Sequence, residues 1–254
     1  MTLGAPTAAV APPGQQNPAA RNRSKLDLWI CWCVLPVFYT LFGVIFVLLT
    51  RVMPPPSPDK SVHQITMFFL AHATTIKVGF VLLMAVIGLG SISNGLVAYQ
   101  MKRMSVNPVF AYGYIATLAV AALPGCLFAA IFFLVAVFRP DRNPHLIALC
   151  YDAALLSFVG SLGCFVANYA VFALAVLLDK NNIFPRWIGY MAIWQIVTEF
   201  MAAPVFIFKK GPFAWNGAIA FFEGTAIFVI FLVCLIFQVR RAIEQQPPGE
   251  RVPD

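Results

Sequence analysis

The chain has 254 residues, of which 61% are hydrophobic and only 11% carry a charge, and its mean hydropathy is +0.83. This composition excludes a soluble domain, which needs a charged surface, and it predicts that lipid surrounds most of the protein. A net charge of +7 would suggest a nucleic-acid partner for a soluble protein. In a membrane protein the distribution of charge over the loops matters more, and we expect the lipid bilayer and no nucleic acid as partners.

Six apolar segments follow one another along the chain, each long enough to cross a hydrocarbon core of about 30 Å, which needs about 20 helical residues. We predict spans at Leu28–Leu49, Ile76–Ala98, Phe110–Phe138, Leu146–Leu178, Trp187–Phe208 and Phe213–Val239. Backbone groups left unpaired in lipid exclude open sheets, and the uninterrupted apolar runs exclude a barrel. The predicted fold class is therefore an all-α integral membrane bundle of six transmembrane helices, with kinks at Pro124 and Pro204.

The two ends of the chain are poor in residues that form a core. We predict a disordered N-terminal tail at 1–24, a six-helix transmembrane domain at 25–241 and a disordered C-terminal tail at 242–254. The first apolar segment runs for about 22 residues after Lys25, rather than the 7 to 15 of a signal peptide, so we expect it to remain as a span.

The connection between the first two spans contains a proline-rich stretch followed by helix-start signals. Ser57 is the predicted N-cap, with Pro58 at the first helical position and Asp59 in the first turn. A helix from there to about Thr74 would carry one apolar stripe, formed by Val62, Ile65 and Phe69. We therefore predict a short interfacial helix in this outer loop.

The positive charges divide unevenly between the two sides of the predicted bundle, ten against seven. The first side carries Arg21, Arg23, Lys25, Lys102, Arg103, Lys180, Arg186, Arg240, Arg241 and Arg251. The second carries Arg51, Lys60, Lys77, Arg139, Arg142, Lys209 and Lys210. Because cytoplasmic loops are enriched in Lys and Arg, we predict that both termini are cytoplasmic.

Two carboxylates inside predicted spans are the strongest sign of a site, because a charge at bilayer depth is costly and normally faces the bundle interior. Glu199 and Glu223 lie near the centres of the fifth and sixth spans, and we predict that they face one interior seam and share a proton. Gln195 precedes Glu199 by one turn and Asn216 precedes Glu223 by two, which extends the candidate intramembrane polar site. A structural alternative remains open, in which each glutamate is protonated and hydrogen-bonds a neighbouring helix.

Lys77 and Asp152 are predicted at the outer boundary, where they would form the mouth of the same cavity; snorkelling and ordinary ion pairing explain them equally well. The nearest approach to a metal site is the set Asp59, His63 and His72. The two histidines are nine residues apart, which places them on opposite sides of a helix. We therefore expect no metal and no cofactor.

Two phrases in the C-terminal half, FPRWIGY at 184–190 and GPFAWNG at 211–217, together with the proline-rich first loop, resemble a group of uncharacterised bacterial multi-span membrane proteins. The resemblance covers most of the spanning region but neither tail. It implies six helices and a location in the bacterial cytoplasmic membrane, and it carries no activity and no functional residue.

The sequence contains no phosphate-binding loop, dinucleotide fingerprint or hydrolase motif, so catalytic residues stay unknown and the sequence leans away from an enzyme. The favoured hypothesis is binding or transport of a small hydrophobic solute, by the chain alone or as a homo-oligomer. Two alternatives stay open. One is an accessory subunit of a larger membrane complex, and the other is an acid/base enzyme acting on a lipophilic substrate such as a terpenoid, steroid or lipid.

Overall fold

The computed structural model describes residues 25–247 and 250 of the chain. This part is all-helical, and six of its helices are long and apolar enough to cross a membrane. In chain order they are α1 (Leu26–Leu49), α2 (Val62–Met101), α3 (Val109–Phe138), α4 (Pro144–Leu178), α5 (Arg186–Phe206) and α6 (Ala218–Gln245). The predicted all-α, six-span architecture of a multi-pass membrane protein is confirmed. The predicted N-terminal tail, 1–24, lies outside the described residues, as do 248, 249 and 251–254 of the C-terminal tail.

The loops meet at two ends of the bundle. The terminal end holds Lys25, the 102–108 and 179–185 loops and Gln246; the distal end holds the 50–61, 139–143 and 207–217 loops. Hydrogen bonds join the loops at each end. At the terminal end Ser105 N donates to Asp179 Oδ1 over 2.8 Å. At the distal end Trp215 Nε1 donates to Pro56 O over 2.8 Å.

The predicted separate interfacial helix is wrong, because α2 is one long helix interrupted only near Gly88. Its N-cap is Ser61 rather than Ser57. The Ser61 hydroxyl accepts from Gln64 N over 3.3 Å, and Gln64 Oε1 accepts from Ser61 N over 3.0 Å, which completes a capping box. The predicted apolar stripe exists, but it packs into the bundle: Phe69 stacks on Phe133 of α3 with ring centroids 6.2 Å apart.

The sixth helix begins at Ala218, five residues later than predicted. Residues 207–217 instead form a folded distal loop, in which Gly211 takes a φ of +85°. Pro212 O accepts hydrogen bonds from Ile219 N and Ala220 N, at 3.0 and 3.1 Å. A Cβ on Gly217 would overlap that same carbonyl oxygen, so the loop requires glycine there.

At its other end α6 continues to Gln245, past the predicted domain boundary at 241. Ala242 and Ile243 are buried in the terminal core. Arg103 explains this extension, because its guanidinium donates to Ala242 O over 2.9 Å and pairs with Glu250 over 3.0 Å. The last turn of α6 therefore belongs to the folded domain.

Five segments within these helices depart from α geometry. They are Ile45–Leu49, Leu123–Phe128 and Ala218–Glu223, which are π-helical, and Ser161–Phe165 and Ala203–Phe206, which are 3₁₀-helical. Two of them contain the prolines at which kinks were predicted, Pro124 and Pro204. A proline removes one backbone donor and displaces the preceding turn, which accounts for the change in geometry at these two places.

Candidate functional site

The interior face of α5 carries Gln195 and Glu199, one turn apart. Gln195 is completely buried, and Glu199 is 6% exposed. Neighbouring residues of the same helix face the lipid, with Trp194 at 58% and Phe200 at 63% exposed. Because side chains four residues apart share a helix face, the amide and the carboxyl form one polar strip inside an otherwise apolar bundle.

This polar strip lacks hydrogen-bond partners within the described part of the chain. Both Gln195 side-chain atoms, Oε1 and Nε2, are buried and unpaired, and so is Glu199 Oε2. Each buried polar atom without a partner costs about 1 to 3 kcal/mol, and native proteins retain few of them. Three such atoms on two adjacent turns mark a place where a polar group from elsewhere would be stabilised.

Four of the segments without α geometry form a row, and together we call them the irregular belt: Leu123–Phe128, Ser161–Phe165, Ala203–Phe206 and Ala218–Glu223. Each contacts the next in that order, and both Ser161–Phe165 and Ala218–Glu223 contact the Arg186–Ala202 part of α5. The contacts are close, since a Cβ on Gly125 would lie 3.0 Å from Ser161 Oγ, and one on Gly160 would overlap the Phe206 ring.

The irregular belt has a chemical consequence. π and 3₁₀ segments change which backbone carbonyls are paired, and they occur frequently where a membrane protein binds a ligand within the bilayer. Here Ser161–Phe165 and Ala218–Glu223 contact the helix that carries the unpaired side chains. By helix rise, Glu199 lies about 10 Å from the distal end of α5. The belt and the polar strip form the candidate site.

Three tyrosines lie within the spans of other helices: Tyr39 on α1, Tyr114 on α3 and Tyr169 on α4. Tyr169 belongs to the Val166–Leu178 part of α4, which packs against the Arg186–Ala202 part of α5. Tyr114 and Tyr169 are buried, each 5% exposed. Next to Tyr169, Asn168 Nδ2 donates to Tyr114 O over 2.9 Å, which fixes α4 against α3.

Glu223 differs from Glu199 in its surroundings. It is half-buried and ends the Ala218–Glu223 segment, about 7 Å from the start of α6. That segment touches α5, but no hydrogen bond joins the two carboxyls in the described structure. The shared proton stays a prediction. Asn216 is in the distal loop rather than on α6, so the predicted helical stripe from Asn216 to Glu223 is wrong.

Lys77 and Asp152, the two residues of the predicted outer mouth, differ in their surroundings. Lys77 lines a cavity of about 140 Å³ between α2, α3 and the start of α4. Asp152 is exposed on α4 and is not among the residues lining that cavity, because its neighbour Tyr151 takes the interior position. The common mouth of Lys77 and Asp152 stays a prediction.

His63 and His72 also lie apart from the site. His63 is exposed on the first turn of α2. His72 lies further along α2. Its Nδ1 is 2.9 Å from Phe68 O, and the centroid of its ring is 4.7 Å from that of the Phe68 ring. Within the described residues, no cluster of three His, Cys, Asp or Glu side chains could hold a metal ion.

Sequence reasoning identified Gln195 and Glu199 but missed Tyr39, Tyr114, Tyr169 and Asn168. Tyrosine in a membrane protein is usually assigned to the interface, which hid their interior role. A usable signal was present: these residues occur well inside predicted spans, and Asn168 and Tyr169 are consecutive polar residues within an apolar run. The irregular belt has a weaker signature, in Pro124, Gly160 and Pro204.

No protein-family model matches the chain, and no curated protein or solved structure matches it either. Its function must therefore be inferred from its own residues.

Proposed function

We propose that the protein binds and transports a small, mostly apolar solute within the membrane. The observation that carries this proposal is the unpaired polar strip of Gln195 and Glu199 beside the irregular belt. A carboxyl and a carboxamide one turn apart can each exchange a hydrogen bond with a hydroxyl or carbonyl group. The residues of the irregular belt are largely apolar, which favours a solute that is hydrophobic elsewhere.

The charge of the region supports an uncharged solute group. Within the described structure no lysine or arginine forms an ion pair with Glu199 or Glu223. A bound anion would meet the carboxyl of Glu199 without a compensating cation, which is unfavourable inside the bilayer. A hydroxyl or carbonyl would instead satisfy atoms that are unpaired at present.

Binding is tested with a dodecyl alcohol that carries a photoreactive diazirine and an alkyne tag, added to the purified full-length protein in detergent. After irradiation, mass spectrometry locates the labelled peptides. We expect labels within the irregular belt and around Gln195 and Glu199. The Glu199→Leu variant should reduce these labels at least fivefold, because it removes the hydrogen-bonding group that orients the hydroxyl.

Asp152→Asn is the matched control, since Asp152 is also a carboxylate in a membrane helix but is exposed. Its labelling should match the wild type. Labels confined to lipid-facing positions, and equal in the wild type and Glu199→Leu, would overturn the binding proposal.

Transport requires a second measurement on vesicles that contain the protein. A fluorescent NBD-labelled amphiphile is quenched by external dithionite only after it reaches the outer leaflet. Protein-containing vesicles should lose the protected half of the signal faster than empty vesicles, and Glu199→Leu should remove this acceleration. Binding without acceleration would restrict the function to solute binding.

We further propose that the protein resides in a bacterial cytoplasmic membrane with both termini cytoplasmic, as a member of the multi-span group that shares the 184–190 and 211–217 phrases. Support comes from the ten-to-seven charge bias, which places more cations at the terminal end. A reporter fused after Glu250 should give a cytoplasmic signal. A periplasmic signal would show that the orientation is the opposite of the proposed one.

A further inference from the structure

A second feature of the bundle, separate from the irregular belt, is the cavity of about 140 Å³ at the distal end. Its floor is apolar and buried, and it is formed by Phe69, Ala136, Val137 and Ile147. Its rim carries two cations, Lys77 of α2 and Arg139 at the end of α3. Leu70 and Arg139 on the rim are exposed, so the cavity opens on the side of the bundle.

Both cations lie toward the distal end of their helices. Phe80 of α2 stacks on Phe133 of α3 with centroids 4.8 Å apart, which holds the two helices side by side. Lys77 is one turn nearer the distal end than Phe80. Arg139 follows Phe138, the last helical residue of α3. Lysine and arginine side chains near the end of a membrane helix extend toward the phosphate layer of a bilayer.

Both cations are available to an anion. Among the described residues neither Lys77 nor Arg139 forms an ion pair. In the same turn, Arg142 has a buried Nε without a partner. The carboxylate of that turn, Asp141, is exposed and likewise in no ion pair there. The rim is therefore net positive with unused donors.

The apolar floor sets the size of the occupant. An apolar cavity of about 150 Å³ takes up a six-carbon ring. The cavity here is similar in volume, so it accommodates several carbons of one acyl chain but not a whole lipid. An occupant that fits both the cationic rim and the apolar floor has an anionic head group with an acyl chain attached close to it.

We propose that this cavity binds an anionic glycerophospholipid. The phosphate lies between Lys77 and Arg139, and the first methylenes of one acyl chain fill the apolar floor. The remaining chain runs along the outside of α2 in the bilayer. This site is independent of the solute site on α5.

The test uses the purified full-length protein and three probes: dioleoyl phosphatidylglycerol, dioleoyl phosphatidylcholine and oleate. Native mass spectrometry counts the retained molecules, and titration gives their affinities. The phosphatidylglycerol should bind at least tenfold more tightly than the phosphatidylcholine, which has the same chains but no net charge. Lys77→Gln and Arg139→Gln should each reduce that affinity about tenfold, because each removes a charge-assisted hydrogen bond.

Lys60→Gln is the matched control, since Lys60 is an exposed cation of the distal end outside the cavity. The affinity of this variant for phosphatidylglycerol should equal that of the wild type. Ala73→Phe fills the cavity while keeping both charges, and it should also abolish tight binding of the phosphatidylglycerol. Equal binding of the two phospholipids, or affinities unchanged in Lys77→Gln and Arg139→Gln, would overturn the proposal. Tight binding of oleate with none of phosphatidylglycerol would overturn the assignment to a phospholipid.

Discussion

Replacing Gln195 with leucine should make the protein more stable. Gln195 is completely buried, and neither of its side-chain polar atoms has a partner in the described structure. Leucine has a similar volume and removes both unpaired atoms. At a cost of about 1 kcal/mol each, the lower end of the usual range, the gain is about 2 kcal/mol. For a protein of this size that gain corresponds to a rise of roughly 4 to 8 °C in Tm.

The measurement is thermal unfolding in detergent at a fixed heating rate. Asn168→Ala is the control, because Asn168 is also buried but its Nδ2 donates to Tyr114 O over 2.9 Å. Asn168→Ala should lower the unfolding free energy by about 1 to 2 kcal/mol. A Tm of Gln195→Leu at or below the wild-type value would show that a neighbouring group satisfies Gln195, and the strip would then be packing rather than a ligand site.

Three further predictions concern the distal end and α2. Tyr151→Phe and Trp215→Phe each remove one 2.8 Å hydrogen bond to Pro56 O. Tyr151→Phe should cost about 1 kcal/mol, and Trp215→Phe about 2 kcal/mol or more because the smaller ring also leaves a cavity; both should speed proteolysis of the 50–61 loop, whereas Tyr190→Phe on the lipid face should do neither. Gly79→Ala places a Cβ 2.9 Å from Thr50 N and should destabilise by about 1 to 3 kcal/mol; Gly95→Ala meets nothing within 4 Å and should stabilise by about 0.5 to 1 kcal/mol. The Ser57 hydroxyl, and after it the Lys210 ammonium, hold the pKa of Asp59 below its ordinary value of 3.8. The stabilisation from Asp59 is therefore present above pH 3.8 and is lost as the pH falls through the lower pKa that Asp59 has in the folded protein. NMR titration of the Asp59 carboxyl should show that its pKa rises in Ser57→Ala.

The six spans could be predicted from hydropathy, because crossing a bilayer requires a length of apolar sequence that few other structures need. Their boundaries failed where local interactions outweigh composition. Residues 213–217 are largely apolar, so hydropathy placed them in the sixth span, but the packing of Gly217 on Pro212 turns them into a loop. Ser57 and Ser61 are both acceptable N-caps by type, and Gln64 decides between them by completing the capping box at Ser61.

Half of the candidate site was predictable. The spacing of Gln195 and Glu199 requires only helical periodicity, which any membrane span supplies. The rest depends on how helices pack. The belt forms because the irregular segments of four helices meet, and no single segment reveals that in its own sequence. Glu223 illustrates the limit: its residue type is as unusual in a span as Glu199, yet it is only half-buried.

The structure also indicates the route by which a solute would reach the site under the proposed function. At the distal end, Tyr151 and Trp215 hold the 50–61 loop over the bundle through Pro56 O. The terminal end is joined by Arg103, which is buried and bonded to Ala242 O and Glu250. An apolar solute is concentrated in the bilayer, so the favoured path is lateral, between helices.

This route can be tested by locking the distal end. The charged atoms of Asp59 and Lys210 lie 3.5 Å apart at the ends of their side chains, which is too far at the backbone for a direct disulfide. Asp59→Cys and Lys210→Cys are therefore bridged by a bis-methanethiosulfonate reagent, which joins the 50–61 loop to the 207–217 loop and is removed by reduction. Lateral access predicts that the bridged variant takes up the photoreactive alcohol within about twofold of its reduced form, since a path between helices does not cross these loops. A loss of tenfold or more on bridging, reversed by reduction, would instead place the route through the distal end. Because each variant is compared with itself before and after reduction, any effect of the substitutions on folding cancels.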